Sequence, residues 1–159
     1  MAALLLGVTS CKQEDEPKYH NPTEFTVNVP ALQNQVLQLS SDMGSTSTFN
    51  LFCSQPDYGY SAICKYSALV SLDPECPADD AAKTLSLPTT NPSMAAMAIK
   101  TYELAVALNK LKGYNSIEEY QTGYDGKPLK AYFRAVCEIP SIEGSRIVSS
   151  NVVSYNLIP

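Results

Sequence analysis

The chain has no tryptophan, and its 159 residues include a single histidine, His20. That imidazole lies in a polar stretch ahead of the first expected strand, so Ser-His and Cys-His nucleophile arrangements have no base to use in the body of the chain. Lys and Arg together number 11 against 16 Asp and Glu, for a net charge of −5 and a pI near 4.8. The basic residues nowhere cluster, which excludes nucleic acid as a partner, because a phosphate backbone calls for a basic stripe. No apolar run approaches the ~20 residues that a spanning helix needs. There is no glycine-rich phosphate loop and no His/Cys cluster at metal-ligand spacing, so no metal and no cofactor is expected. Two carboxylate pairs remain, Glu118 with Glu119 and Asp79 with Asp80. Neighbours on a helical turn or in a polar loop read as solvated acidic surface rather than as a glycosidase pair. No catalytic residue is assigned, and the chain reads as a non-enzyme.

What the chain does have begins at its N-terminus. An apolar run from Ala2 to Gly7 leads into Val8-Thr9-Ser10-Cys11, and Lys12-Gln13-Glu14-Asp15-Glu16 follows. A short apolar segment closed by small residues is what a secretory signal offers its peptidase. The cysteine at the cleavage point offers a thiol for lipid attachment, and the tetrapeptide resembles a bacterial lipobox. The expected organisation is a signal-peptide remnant at 1–10, a lipidated acidic tether at 11–23 beginning at Cys11, and one domain at 24–159. Pro17, Pro22 and the lack of apolar periodicity keep the tether from burying enough surface to offset its ordering entropy. A domain of this length buries roughly two-thirds of its surface on folding.

Through the domain the dominant hydrophobic period is two, the mark of half-buried strands. Strands are expected at Glu24 to Val29, with a short continuation at Leu37 and Leu39, and at Thr48 to Cys53. The clearest runs from Cys64 to Leu72, with Cys64, Tyr66, Ala68, Val70 and Leu72 inward and Lys65, Ser67 and Ser71 outward. An edge strand around Leu85 and Leu87, a strand at Met94 to Lys100, and strands at Ala131 to Ile139 and Ile147 to Leu157 complete the set. Ser149-Ser150-Asn151 marks a bulge in the last. One helix interrupts them: Leu104, Leu108 and Leu111 recur at i, i+4 and i+7 behind a Thr101 cap, and Gly113 closes it. Ser116 and Glu119 form a capping box for a further turn. About seven short strands and one crossing helix give an all-β, immunoglobulin-like antiparallel β-sandwich.

The run Phe49-Asn50-Leu51-Phe52-Cys53-Ser54-Gln55-Pro56-Asp57-Tyr58-Gly59 leads into Tyr66-Ser67-Ala68-Leu69-Val70-Ser71-Leu72-Asp73. Later come Glu103-Leu104 to Gly113 and Tyr132-Phe133-Arg134-Ala135. In this order, behind the lipobox, they resemble the N-terminal domain of SusE-type lipoproteins of starch-utilisation-like systems. The resemblance implies a non-catalytic lipoprotein anchored at the outer membrane and cell surface, which helps capture polysaccharide beside a transporter complex. It places the sugar sites in later modules, and so implies a spacer or docking role for this domain more strongly than carbohydrate binding by the domain itself. A lipoprotein adhesin or inhibitor-type interaction domain would use the same anchor and sandwich, and stays open as the alternative.

A sugar ring packs its C–H faces on an exposed aromatic side chain. With no tryptophan, the glycan-binding candidates are the tyrosines expected in turns, Tyr58, Tyr60 and Tyr124. Besides Cys11 there are Cys53, Cys64, Cys76 and Cys137, which allow three pairings in an exported domain. Cys53 and Cys137 occupy places resembling the inter-sheet bridge of immunoglobulin domains, so a disulfide between them is a further expectation. The inward-facing Cys64 competes with that pairing.

Overall fold

The computed structural model describes residues 18–29 and 35–159. Cys11 and the signal remnant lie outside the described residues, as does the first part of the tether. The described chain is an all-β sandwich with two short helices. Its elements are β1 (Val36–Gln38), β2 (Thr48–Phe52), β3 (Lys65–Ser71), β4 (Thr84–Leu87), β5 (Ala96–Lys100), α1 (Thr101–Leu111), α2 (Ile117–Gly123), β6 (Leu129–Glu138), β7 (Ile147–Val148) and β8 (Val153–Ile158). One sheet runs β1-β8-β6-β3-β4, with β7 also on β6, and the second is the antiparallel pair β2-β5.

Alternation sets the faces, and β3 shows it best. Tyr66, Ala68 and Val70 are buried between the sheets, while Ser67 is half-buried on the outer side. Opposite them on β6 stand Cys137, Ala135 and Phe133, all fully buried. Phe133 stacks on Phe49 of β2 at 5.1 Å between ring centroids and meets Tyr155 of β8 edge-on at 5.6 Å. These three rings join the two sheets through the middle of the core.

The outer face of β3 is covered as well, which strand alternation alone does not announce. The loop after β3 folds back so that Cys76 packs on Leu69 and Val136, and all three are buried. Ser71, expected outward in water, is buried and donates its hydroxyl to Lys83 O at 2.6 Å.

Three local expectations change. Phe25 and Val27 are buried as their alternation requires, but Glu24 to Val29 is not a regular strand; its one bridge is Val27 to Cys53. On its other side Val27 is held by a side chain, because Asn151 accepts from Val27 N and donates to Val27 O, both at 2.8 Å. The first regular strand, β1, pairs in parallel with β8, so the sandwich is not wholly antiparallel. The residue preceding α1 is Lys100, and Thr101 is its first helical residue, whose hydroxyl bonds Ser47 O instead of capping. The remaining punctuation holds. Gly113 has φ +90° after α1, and Ser116 accepts from Glu119 N at 3.1 Å to open α2. The bulge at Ser149 to Asn151 is a full break that splits the last strand into β7 and β8, both on β6.

Candidate functional site

Beyond β2, Cys53 makes the single bridge to Val27, and the chain then loops across one end of the sandwich before entering β3. The turn is built locally: Asp57 Oδ1 accepts from Gly59 N at 2.7 Å, and Gly59 takes φ +86°. This loop lines a groove of about 870 Å³, with Asp57, Tyr60, Ile63 and Cys64 on its walls and Tyr58 and Tyr66 beneath. The end of the expected tether docks onto it. His20 N donates to Tyr58 O and Thr23 N to Asp57 O, both at 3.0 Å, and Asp57 N returns a bond to the Thr23 hydroxyl at 2.9 Å. Gly59 permits this approach, since a Cβ there would come within 2.3 Å of Lys18 O. Residues 18–23 therefore lie against the folded body at the loop end.

The sugar-platform candidates separate at this point. Tyr58 is 2% exposed, lies under the roughly parallel ring of Tyr19, and donates its hydroxyl to Ser145 O at 3.0 Å. It is a strut of the core, not a loop platform, because the docked segment at 18–23 roofs the turn. Tyr60 sits on the same groove half-buried against the core. Tyr124 belongs elsewhere. It caps the C-terminal end of α2, stacks on Tyr120 at 4.6 Å, and ties its hydroxyl to Lys127 O.

The four described cysteines are free thiols, so the expected bridge from Cys53 to Cys137 is not formed. Three of the sulfurs point to backbone carbonyls, Cys64 Sγ to Ala62 O at 3.7 Å and Cys76 Sγ to Tyr132 O at 3.6 Å among them. Cys53 Sγ reaches Ala95 O at 3.5 Å, whereas Cys137 Sγ lies in the core 3.5 Å from the Tyr58 hydroxyl oxygen. Burial pushes the Cys53 thiol up to about 11. Burial is also the main cause that raises Cys137, Tyr58 and Tyr66, with Cys64 adding to each. A thiol held protonated at neutral pH is a poor nucleophile, so this cluster packs as small apolar groups do.

No family model matches the chain, and no solved structure matches it. The chemistry of the groove thus rests on its own residues. His20 stands at its edge, exposed, with Nδ1 2.7 Å from Asn21 O and Nε2 3.8 Å from Asp57. No described serine or cysteine bonds to it. Among the described residues no group of three or more His, Cys, Asp or Glu could hold a metal ion, and no helix is long and apolar enough to cross a membrane. What the groove offers is a rim of aromatic, amide and carboxylate groups. Sequence reasoning did not find Tyr66 and Cys64 as groove residues, since their alternation marked them simply as core.

Proposed function

We propose that this chain is a surface-anchored, non-catalytic lipoprotein module of a polysaccharide-capture system of the starch-utilisation type, attached through Cys11 and serving as a spacer or docking body beside a transporter. The observation that carries the reading is the docking of residues 18–23 onto the Asp57 loop. Seven backbone steps separate Cys11 from Lys18, a reach of at most roughly 25 Å at full extension. A lipid on Cys11 would hold the sandwich close to the bilayer by its loop end, with the opposite end directed outward. The burial of Tyr58 as a strut of the core supports the same reading, since that ring is not free to serve as a sugar platform.

The test is expression from the native signal with an alkyne fatty-acid label. Label on the wild-type chain, and its loss together with release from the membrane in Cys11→Ala, is the expected result. Membrane retention unchanged by Cys11→Ala refutes the anchor. Chemical cross-linking of the lipidated chain in intact cells is expected to join it to an outer-membrane transporter, and cross-links only to other partners favour the adhesin or inhibitor reading.

A further inference from the structure

Two cysteines from different strands meet at the groove. Cys64 directly precedes β3 and stands half-buried on the groove wall, and Cys137 of β6 is fully buried behind it. The register of β3 on β6 sets Lys65 against Glu138 and Tyr66 against Cys137. Side chains alternate across a strand, so Cys64 shares the inward face with Tyr66 and becomes the diagonal neighbour of Cys137. Tyr66 N donates to Pro92 O at 2.6 Å, away from β6. Tyr66 and Cys137 are thus a non-hydrogen-bonded pair, the kind in which facing side chains stand closest.

The contacts around the pair agree with the register. The Tyr58 hydroxyl oxygen is 3.5 Å from Cys137 Sγ, and Cys64 is among the groups that hydrogen-bond Cys137 and raise its thiol. The other two described thiols lie elsewhere. Cys76 packs with Leu69 and Val136 on the outer face of the same sheet, and Cys53 turns its sulfur to Ala95 O just before β5. Diagonal neighbours stand about 7–8 Å apart, less between Cβ atoms, and a disulfide spans roughly 4.4–6.8 Å between Cα atoms. Cys64 lies before the first residue of the ladder, and its Sγ points to Ala62 O, two residues back in the same loop. Closing the small remaining gap therefore moves a loop residue and leaves the sheet in place.

We propose that Cys64 and Cys137 are a disulfide-forming pair, joined when the chain meets an external disulfide oxidant, so that the groove wall is stapled to the central strand β6. The proposal goes beyond the anchored-module reading and rests on it only for export to an oxidising surface, where such bonds persist. The chemistry runs by exchange in two steps. Cys64, open to the groove, loses its proton and attacks one sulfur of the oxidant, forming a mixed disulfide and expelling one thiolate. Cys137 then loses its proton and attacks Cys64 Sγ. The bond from Cys64 Sγ to the oxidant sulfur breaks, and a second thiolate leaves. The two protein thiols together give up two electrons, and the oxidant disulfide becomes two thiols that carry the two protons. Burial keeps Cys137 protonated and slows its step, while its place beside Cys64 favours that step by making it intramolecular.

The full chain carrying Cys11→Ala, incubated with oxidised glutathione at about pH 8.5, near the ordinary thiol pKa, tests it. The remaining thiols are then blocked with a maleimide in urea, and the chain is digested without reduction. A peptide pair joined through Cys64 and Cys137 is expected, with maleimide on Cys53 and Cys76. The joined chain is expected to melt at a higher temperature than the reduced one, and dithiothreitol to reverse the rise. Cys64→Ser, a change at a half-buried loop residue, is expected to lose both the link and the rise. Glutathione left on Cys64 with no link, a link that uses Cys53, or four unreacted thiols overturns the proposal. So does a melting temperature that the link lowers or leaves unchanged, or a rise that Cys64→Ser retains. Each of these failures leaves the anchored-module reading to its own test, the lipid label on Cys11.

Discussion

Replacing Asn151 by alanine tests how the sandwich closes at its N-terminal side. The segment at 25–28 is tied on one side to the β2 end, where Asn28 N donates to Phe52 O at 2.7 Å and Ser54 N to Thr26 O at 2.9 Å. On the other side Ser150 N reaches Phe25 O at 2.9 Å, and the Asn151 amide takes both polar groups of Val27 at 2.8 Å. Asn151→Ala leaves those two groups unpaired, beside a residue that is 1% exposed. A buried orphan costs about 1–3 kcal/mol. Since Asn151 is itself half-buried, water reaches the vacated site, and the low end applies to both groups, for a total of about 2–3 kcal/mol. With a urea m-value of about 1–3 kcal/mol/M, the midpoint falls by roughly 0.7–3 M. If the segment opens by itself, the same free energy shows as a rise of roughly 30- to 150-fold in hydrogen exchange at the Val27 amide. A midpoint shift under about 0.3 M with unchanged Val27 exchange refutes the reasoning, because the amide would then be incidental to the closure.

Two further predictions follow from the packing and the charges. Phe133→Ala removes a fully buried ring stacked on Phe49 and edge-on to Tyr155, and is expected to lower stability by about 4 kcal/mol. Ser67→Asp, on the half-buried outer side, is expected to be nearly neutral; thermal melts that reverse this order would put the phase of β3 off by one residue. Asp73 accepts from Glu75 N at 3.0 Å and pairs with Lys83 at 3.2 Å, and these hold its carboxyl below the usual carboxylate value. A pKa depressed in the fold means stabilisation that is present above the unfolded value and lost as pH falls through the folded one. Asp73→Asn is therefore expected to flatten the fall in melting temperature below about pH 4, and an unchanged slope counts against it.

Most inward-facing strand residues and the main turns were legible in the amino-acid pattern. Period-two alternation placed Tyr66, Ala68 and Val70, and likewise Ala135 and Phe133, on inward faces, because a strand's side-chain direction is a local property of its backbone. The α1 leucines, the positive φ of Gly113 and the Ser116 cap were legible for the same reason, since each is decided within one or two turns of helix. Contacts between distant segments follow from the folded chain alone. Tyr58 looks exposed in an Asp-Tyr-Gly turn, yet residues 18–23 roof it and Ser145 O receives its hydroxyl. Val27 is paired through a side chain 124 residues away, a partner no local pattern names. Ser71 is buried because the loop after β3 returns over the outer face, and Cys137 meets a tyrosine hydroxyl where a sulfur was expected. The meeting of Cys64 with Cys137 lies in the same class: alternation turns both inward, but the register of β3 on β6 makes them neighbours. Hydrophobic periodicity fixes the direction of a side chain, whereas its partner depends on where loops far away in sequence come to rest.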